Sequence, residues 1–309
     1  MRRREALAAA AAVVLRGSRA SAQGTTALRV GGATADTSAQ AYFAEGGGFF
    51  KQSRLDVEII QLASTGALVS AVVGGAMDIG TGSPLAVVGA REQGIPLAII
   101  GPGAVSVESV PTTLLMVAKS SPLRTASDLE GKTVASPSLR GLTEISVQAW
   151  MTQNHADPSK VKYVEMPFTA MPPALERGTI DAAMIAEPTL TASRAVARDL
   201  ANPYAAIAKE WYISAWFVRE DWLAKNRDAA RAFLQAMMKT QAWANTHHAE
   251  TAQILQKVAK LPDDVLAKMV RARFGTKLDG ALLQPLIDSS TKVGITKGTV
   301  SAKDILVFL

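Results

Sequence analysis

The chain has 309 residues, 48% hydrophobic and 19% charged, with 33 Lys and Arg against 27 Asp and Glu and no cysteine. That length and apolar content suit two domains or one large one and exclude a globally disordered chain. The missing cysteines exclude disulfides, thiolate metal sites and a catalytic thiol. With only His155, His247 and His248, neither a metal nor a cofactor is expected.

At the N-terminus, Arg2-Arg3-Arg4 precede an apolar run from Ala6 to Leu15, and Ala20-Ser21-Ala22 offers a small-x-small cleavage site. This is the layout of an export signal over residues 1–22, cut near Gln23. At about ten residues the run is too short to span a ~30 Å hydrocarbon core as a helix. The consecutive arginines leave the general secretory and twin-arginine routes both open. A buried alanine helix is the alternative, and three arginines at its mouth argue against it. The segment holds five arginines against Glu5, so the mature charge falls from +6 to about +2. No basic cluster interleaved with aromatics follows, so no nucleic-acid partner is expected. The mature protein should be soluble, monomeric and periplasmic.

From Leu28 short β-type runs alternate with helical ones. Strands are expected at Leu28–Gly32, Leu55–Gln61, Met77–Gly80 and Pro96–Gly101. Helices are expected at about Ser38–Glu45, at Ala67–Val73 before Gly74-Gly75, and from Pro84. This alternation predicts βαβ units and a largely parallel sheet. The pattern then restarts, with strands at Thr113–Ala118, Lys132–Ala135, Val161–Glu165, Asp181–Ile185 and Ile213–Val218. Helices fall at Leu142–Gln153 and through Ala174-Leu175. Arg227–Thr246 is the clearest helix, and its stripe of Ala230, Phe233, Leu234, Met237 and Met238 reads as core. Pro285 starts or kinks a late helical turn.

Two stretches resemble each other. Gly75-Ala76-Met77-Asp78-Ile79-Gly80 with Ser83-Pro84 parallels Gly178-Thr179-Ile180-Asp181-Ala182-Ala183 with Glu187-Pro188. In both, an apolar helix ends at glycine, a strand opens with aspartate, and a polar residue plus proline starts the next helix. This predicts two lobes built from one module.

These residues, with Phe49-Phe50 through Leu55-Asp56-Val57-Glu58, Ser64-Thr65-Gly66-Ala67 and Asp128-Leu129-Glu130-Gly131-Lys132-Thr133-Val134, carry a family resemblance. The chain resembles periplasmic solute-binding proteins of ATP-driven (ABC) importers, in the nitrate/sulfonate/taurine and thiamine-precursor (NMT1/THI5-like) branch. The resemblance implies a type II periplasmic-binding-protein α/β fold of two lobes, each a mixed sheet flanked by helices, with two crossing strands as hinge. Lobe one would take residues 24–112 and 216–309, and lobe two 113–215, with Thr113–Ala118 and Ile213–Val218 as crossings. Where the family often has an aromatic before Glu-Pro, this chain has Ala186.

A solute would sit where strand ends and helix starts meet over a cleft. The turns in question hold Asp36 and Thr37; Ser64, Thr65 and Gly66; Ser83; Ser138, Arg140, Gly141 and Thr143; and Thr169. The hydroxyls and Asp36 serve equally as helix caps, whereas Gly66 lets backbone approach a bound group. Arg140 is suited to grip an anion or to stand in solvent. Glu187 is suited to a ligand N–H, to a cap, or to pairing with Arg140 across the cleft. Trp211, or its neighbours Tyr212 and Trp216, would stack a flat ring or pack in the core. The expected function is capture of a small polar solute (a sulfonate, nitrate, carboxylate or pyrimidine-like molecule) by hinge closure, for delivery to an ABC permease. The alternatives are an enzyme on the same fold, for pyrimidine synthesis or elimination, and a ligand sensor for a membrane receptor. Export and the lack of cysteine argue against the enzyme.

Overall fold

The computed structural model describes residues 25–62 and 65–309. The export segment and Ser64 therefore lie outside the described residues. In chain order the first half holds β1 (Thr26–Gly32), α1 (Gln40–Gly46), α2 (Phe49–Gln52), β2 (Leu55–Gln61), α3 (Thr65–Val73), β3 (Gly80–Gly82), α4 (Pro84–Glu92), β4 (Leu97–Pro102) and β5 (Ala104–Val107). The second run holds β6 (Thr113–Ala118), β7 (Thr133–Ser136), α5 (Leu142–Gln153), β8 (Lys162–Glu165), α6 (Met171–Glu176), β9 (Ala182–Ala186), α7 (Thr189–Ser193) and β10 (Ala197–Ala201). The chain returns through β11 (Glu210–Tyr212) and β12 (Ala215–Arg219). It ends in α8 (Glu220–Lys225), α9 (Arg227–Ala244), α10 (His248–Ala259), α11 (Asp263–Lys268), β13 (Arg273–Phe274), α12 (Gln284–Lys292) and α13 (Ala302–Ile305).

Two lobes share one topology. In the first, β2 and β1 pair in parallel, a parallel bridge from Val30 to Ile79 joins β1 to the β3 segment, and β12 runs antiparallel between β3 and β4. The second lobe has the order β8-β7-β9-β6-β10, with the first two pairings parallel and the last two antiparallel. Both lobes therefore place the strand at which the chain arrives from the other lobe, β12 or β6, between the third and fourth strands of the module. The internal similarity read from the sequence is a structural repeat.

The inner strands of each sheet are buried on both faces, so they are apolar at consecutive positions and the period of two sorts side chains to opposite layers. Ile99 and Phe217 join one layer of the first lobe, with Val72 and Val87; Ile100 and Trp216 join the other, with Val30 and Phe233. In the second lobe Leu115, Val117 and Met184 face α5, whereas Leu114, Met116 and Ile185 face α6. Of the stripe on α9, Ala230, Phe233, Leu234 and Met237 are core as expected, whereas Met238 is half-buried; Phe233 is edge-on to Trp216 at 5.1 Å between ring centroids.

The hinge differs from expectation. Thr113–Ala118 lies inside the second-lobe sheet, between β9 and β10, and crosses nothing. Ile213–Val218 is not one strand: it breaks at Ile213-Ser214 into β11 and β12, which belong to different sheets. The break is chemical. Ser214 Oγ accepts the Ala104 N–H at 2.8 Å and donates to the Thr37 carbonyl at 3.1 Å, while its own carbonyl takes the Gly103 N–H. A hydroxyl competing for backbone partners ends the ladder. The chain crosses between the lobes twice, as expected, but through β5 and β11, which pair antiparallel, and β13 from the C-terminal region adds a third strand beside β5.

Candidate functional site

The repeat sets the site by one device used twice. In the first lobe Asp78 accepts the Arg29 N–H at 2.8 Å while donating its own N–H to the Arg29 carbonyl. In the second, Asp181 accepts the Thr133 N–H at 2.8 Å and donates to the Thr133 carbonyl. Each aspartate thus locks the third strand to the first. Gly75 and Gly178 before them turn with φ near +70°, a conformation that costs a glycine nothing. The strands leave in register, and the turns after them, each opening a helix, are carried to one end of each lobe. These turns are where the candidate ligand residues fall.

In the first lobe the turn after β1 carries Asp36 and Thr37. Asp36 is fully buried and is not free for a solute. It accepts from Arg271 through Nε at 3.2 Å and Nη2 at 2.8 Å, and from the Ala272 N–H at 2.6 Å. The expected ligand contact is corrected to a buried ion pair, because a carboxylate at this depth is stable only with charge and donors around it. Thr37 is half-buried, and its carbonyl receives both Ser214 Oγ and Gln40 Nε2. Gly66, in the first turn of α3, is exposed, while Thr65 opens that helix. Ser83 caps α4, accepting the Leu85 N–H at 3.2 Å ahead of Pro84 at the first helical position.

In the second lobe the turn after β7 leads into α5. Ser136 Oγ donates to the Ser138 carbonyl at 2.9 Å and meets the hydroxyl of buried Thr143. Gly141 packs closely there: a Cβ would stand 2.2 Å from Ser138 Oγ, and that exposed side chain would have to turn aside. Arg140 sits at φ +55°, held by its N–H to Glu144 at 2.7 Å, and its Nη2 donates to the carbonyls of Gly294 at 3.3 Å and Ile295 at 2.9 Å. Ser138 and Thr169 are exposed. Glu187, 2% exposed, accepts from the Thr191 N–H at 3.1 Å, the Thr191 hydroxyl at 2.9 Å and the Val270 N–H at 3.2 Å. Burial pushes its carboxyl above the ordinary range, against the pull of these donors and of the Arg194 charge. Arg140 and Glu187 do not pair with each other; each has partners elsewhere.

Trp211 is corrected from a solute wall to core. It is fully buried, its indole N–H donates to the Tyr204 carbonyl at 3.1 Å, and the two rings meet edge-on at 4.9 Å. Tyr212 and Trp216 are likewise internal, and the Tyr212 hydroxyl bonds Lys277 and Asp279 backbone. The residues that sequence reading passed over are Val270, Arg271 and Ala272. These three consecutive residues touch Glu187 of the second lobe and Asp36 of the first, so the two turns meet over a span of one tripeptide. Nothing local marks that tripeptide: Asp36 and Arg271 are 235 positions apart. Among the described residues no group of three or more His, Asp or Glu gathers as a metal site, and no helix is long and apolar enough to cross a membrane.

The comparisons agree with the fold. A family model described as NMT1/THI5 like matches residues 36–251. No curated protein matches the sequence. The periplasmic aliphatic sulphonate-binding protein SsuA of Escherichia coli is similar in structure, with TM-score 0.75 at 15% identity over 91% of this chain and 92% of that one. SsuA of Xanthomonas axonopodis pv. citri, bound to MOPS, gives 0.76 at 16% over 93% and 100%. The periplasmic nitrate-binding protein NrtA of Synechocystis PCC 6803 gives 0.74 at 17% over 92% and 85%. A two-lobe α/β repeat and a family match over more than half the residues lead to one conclusion: the chain belongs to the NMT1/THI5-like family, on the periplasmic solute-binding-protein fold.

Proposed function

We propose that this protein is exported, loses residues 1–22, and captures a small polar solute between its lobes for delivery to an ABC permease. The lobes would comprise residues 24–112 with 216–309, and 113–215. One observation carries the reading. Two helix-opening turns, one from each copy of the module, meet at Val270-Arg271-Ala272, whose donors are taken by the carboxylates of Glu187 and Asp36, so the two lobes face each other there. A solute bound to both sides favours the form in which they are together, and that form is what a permease would recognise.

The solute contacts are assigned to the remaining residues of those turns: Thr37, Ser64, Thr65, Gly66 and Ser83 from lobe one, and Ser138, Gly141, Thr143 and Thr169 from lobe two. Hydroxyls and backbone N–H groups at helix starts favour an anion or a strong acceptor, which suits sulfonate, nitrate or carboxylate. The sulphonate- and nitrate-binding neighbours point the same way. Thermal denaturation of the mature protein with methanesulfonate, taurine, nitrate, acetate and a pyrimidine tests this. One class is expected to raise Tm in a concentration-dependent way, by about 2.7 kcal/mol of stabilisation at a hundredfold excess over Kd. No shift with any of them, and no small molecule in the mass spectrum of freshly denatured protein, would remove the reading.

A further inference from the structure

Arg140 and Glu187 are the charges that the cleft turns of lobe two offer to a solute, yet both are engaged by the main chain of one C-terminal segment. At one flank Glu187 takes the Val270 N–H, and the next two residues are anchored to the first lobe through Asp36. At the other, Arg140 spans to the carbonyls of Gly294 and Ile295, and the chain is tied to the first lobe just beyond, where the Lys297 N–H donates to Glu92 at 2.8 Å. Between these points α12 drives Leu286 into the core layer of the second lobe. The segment thus holds each lobe near both of its ends, and β13 within it is the third hinge strand.

We propose that residues 270–295 form an inter-lobe brace, and that Arg140 and Glu187 are positioning residues which set how far the lobes part. Both contacts join an ionised side chain to a peptide group, and such bonds are roughly twice as strong as neutral ones. Rotation about the hinge carries the second-lobe turns away from the segment and breaks both contacts together. The two charges therefore act on the balance of open and closed forms and not on the charge of the solute. Glu187 is suited to this role because donors converge on both of its oxygens. In Glu187→Gln the amide must turn its NH2 toward one of them.

The inference rests on the hinge reading but is tested without any solute, so its failure is distinct from a failure to bind. The chain has no cysteine, so Lys51→Cys on α2 and Glu176→Cys at the end of α6, both exposed, accept a label pair on the two lobes. Distance distributions are measured in this background, then with Arg140→Gln, Glu187→Gln and both. The long-distance population is expected to rise at least twofold in each single variant and further in the double one. Hydrogen exchange of the Val270 amide should quicken about tenfold in Glu187→Gln, while the buried α9 amides keep their rates. Superimposable distance distributions with unchanged Val270 exchange, in variants of wild-type circular dichroism, would overturn the proposal. Arg140 is exposed, so Arg140→Gln carries the test should Glu187→Gln fail to fold.

Discussion

Asp36 illustrates how a side chain suited to two roles is committed by its depth. With 1% of its side chain exposed, against 10% for Arg271, the pair is shielded from water. Removing one partner leaves a buried charge, and that costs about 3–5 kcal/mol. Asp36→Ala should lose stability in that range by urea denaturation, and Asp36→Ala with Arg271→Ala should lose less than the sum of the single variants. Glu187 gives a pH prediction. Its folded value lies above the ordinary 4.5 because of burial, so the folded state holds the proton more tightly than the unfolded. The associated stability is present in acid and declines as pH rises through the folded value. The Tm of wild type minus that of Glu187→Gln should therefore fall as pH rises from the ordinary 4.5 through the raised folded value. A flat difference would mean that the donors from Thr191 and Val270 cancel the effect of burial, and a rising one that they outweigh it.

At the scale of elements, two glycines distinguish packing from propensity. Gly103 enters β5 where a Cβ would stand 2.4 Å from Ser214 Oγ and 2.7 Å from its carbonyl oxygen. Backbone cannot give way as a flexible side chain can, so Gly103→Ala should destabilise the hinge by about 1–3 kcal/mol. Gly89 lies inside α4, where a Cβ meets nothing within 4 Å. There alanine removes unfolded-state freedom at no steric cost, and Gly89→Ala should gain about 0.5–1 kcal/mol. Thermal melts of the two variants are expected to move in opposite directions. The boundaries of β2, β6 and α5 coincide with those read from periodicity alone, since each is long enough to display its period. The hinge strands β11 and β13, of three and two residues, are too short to show one.

For the molecule as a whole, the apolar layers do not respect the lobe boundary. Leu85 of α4 and Leu286 of α12 share one buried cluster with Leu115, Val117 and Met184 of the second lobe and with Trp211 of the hinge. Lobes that share a core do not unfold independently. Urea unfolding followed by tryptophan fluorescence and by far-ultraviolet circular dichroism should therefore give coincident single transitions. Two separated transitions would show that each lobe is stable alone.

The amino-acid sequence by itself determined the two-module α/β architecture, the strand-opening aspartates and the capped helix starts. These follow from periodicity and from residues a few positions apart, which act on the backbone before any distant contact forms. Tertiary structure decided which charges remain available. Asp36 meets Arg271 and Glu187 meets Val270 across 235 and 83 positions, and Trp211 is buried against Tyr204 and the second-lobe core. No local signal encodes those meetings, because they depend on how finished elements stack. The partner that neutralises a buried carboxylate is chosen by packing and not by spacing along the chain.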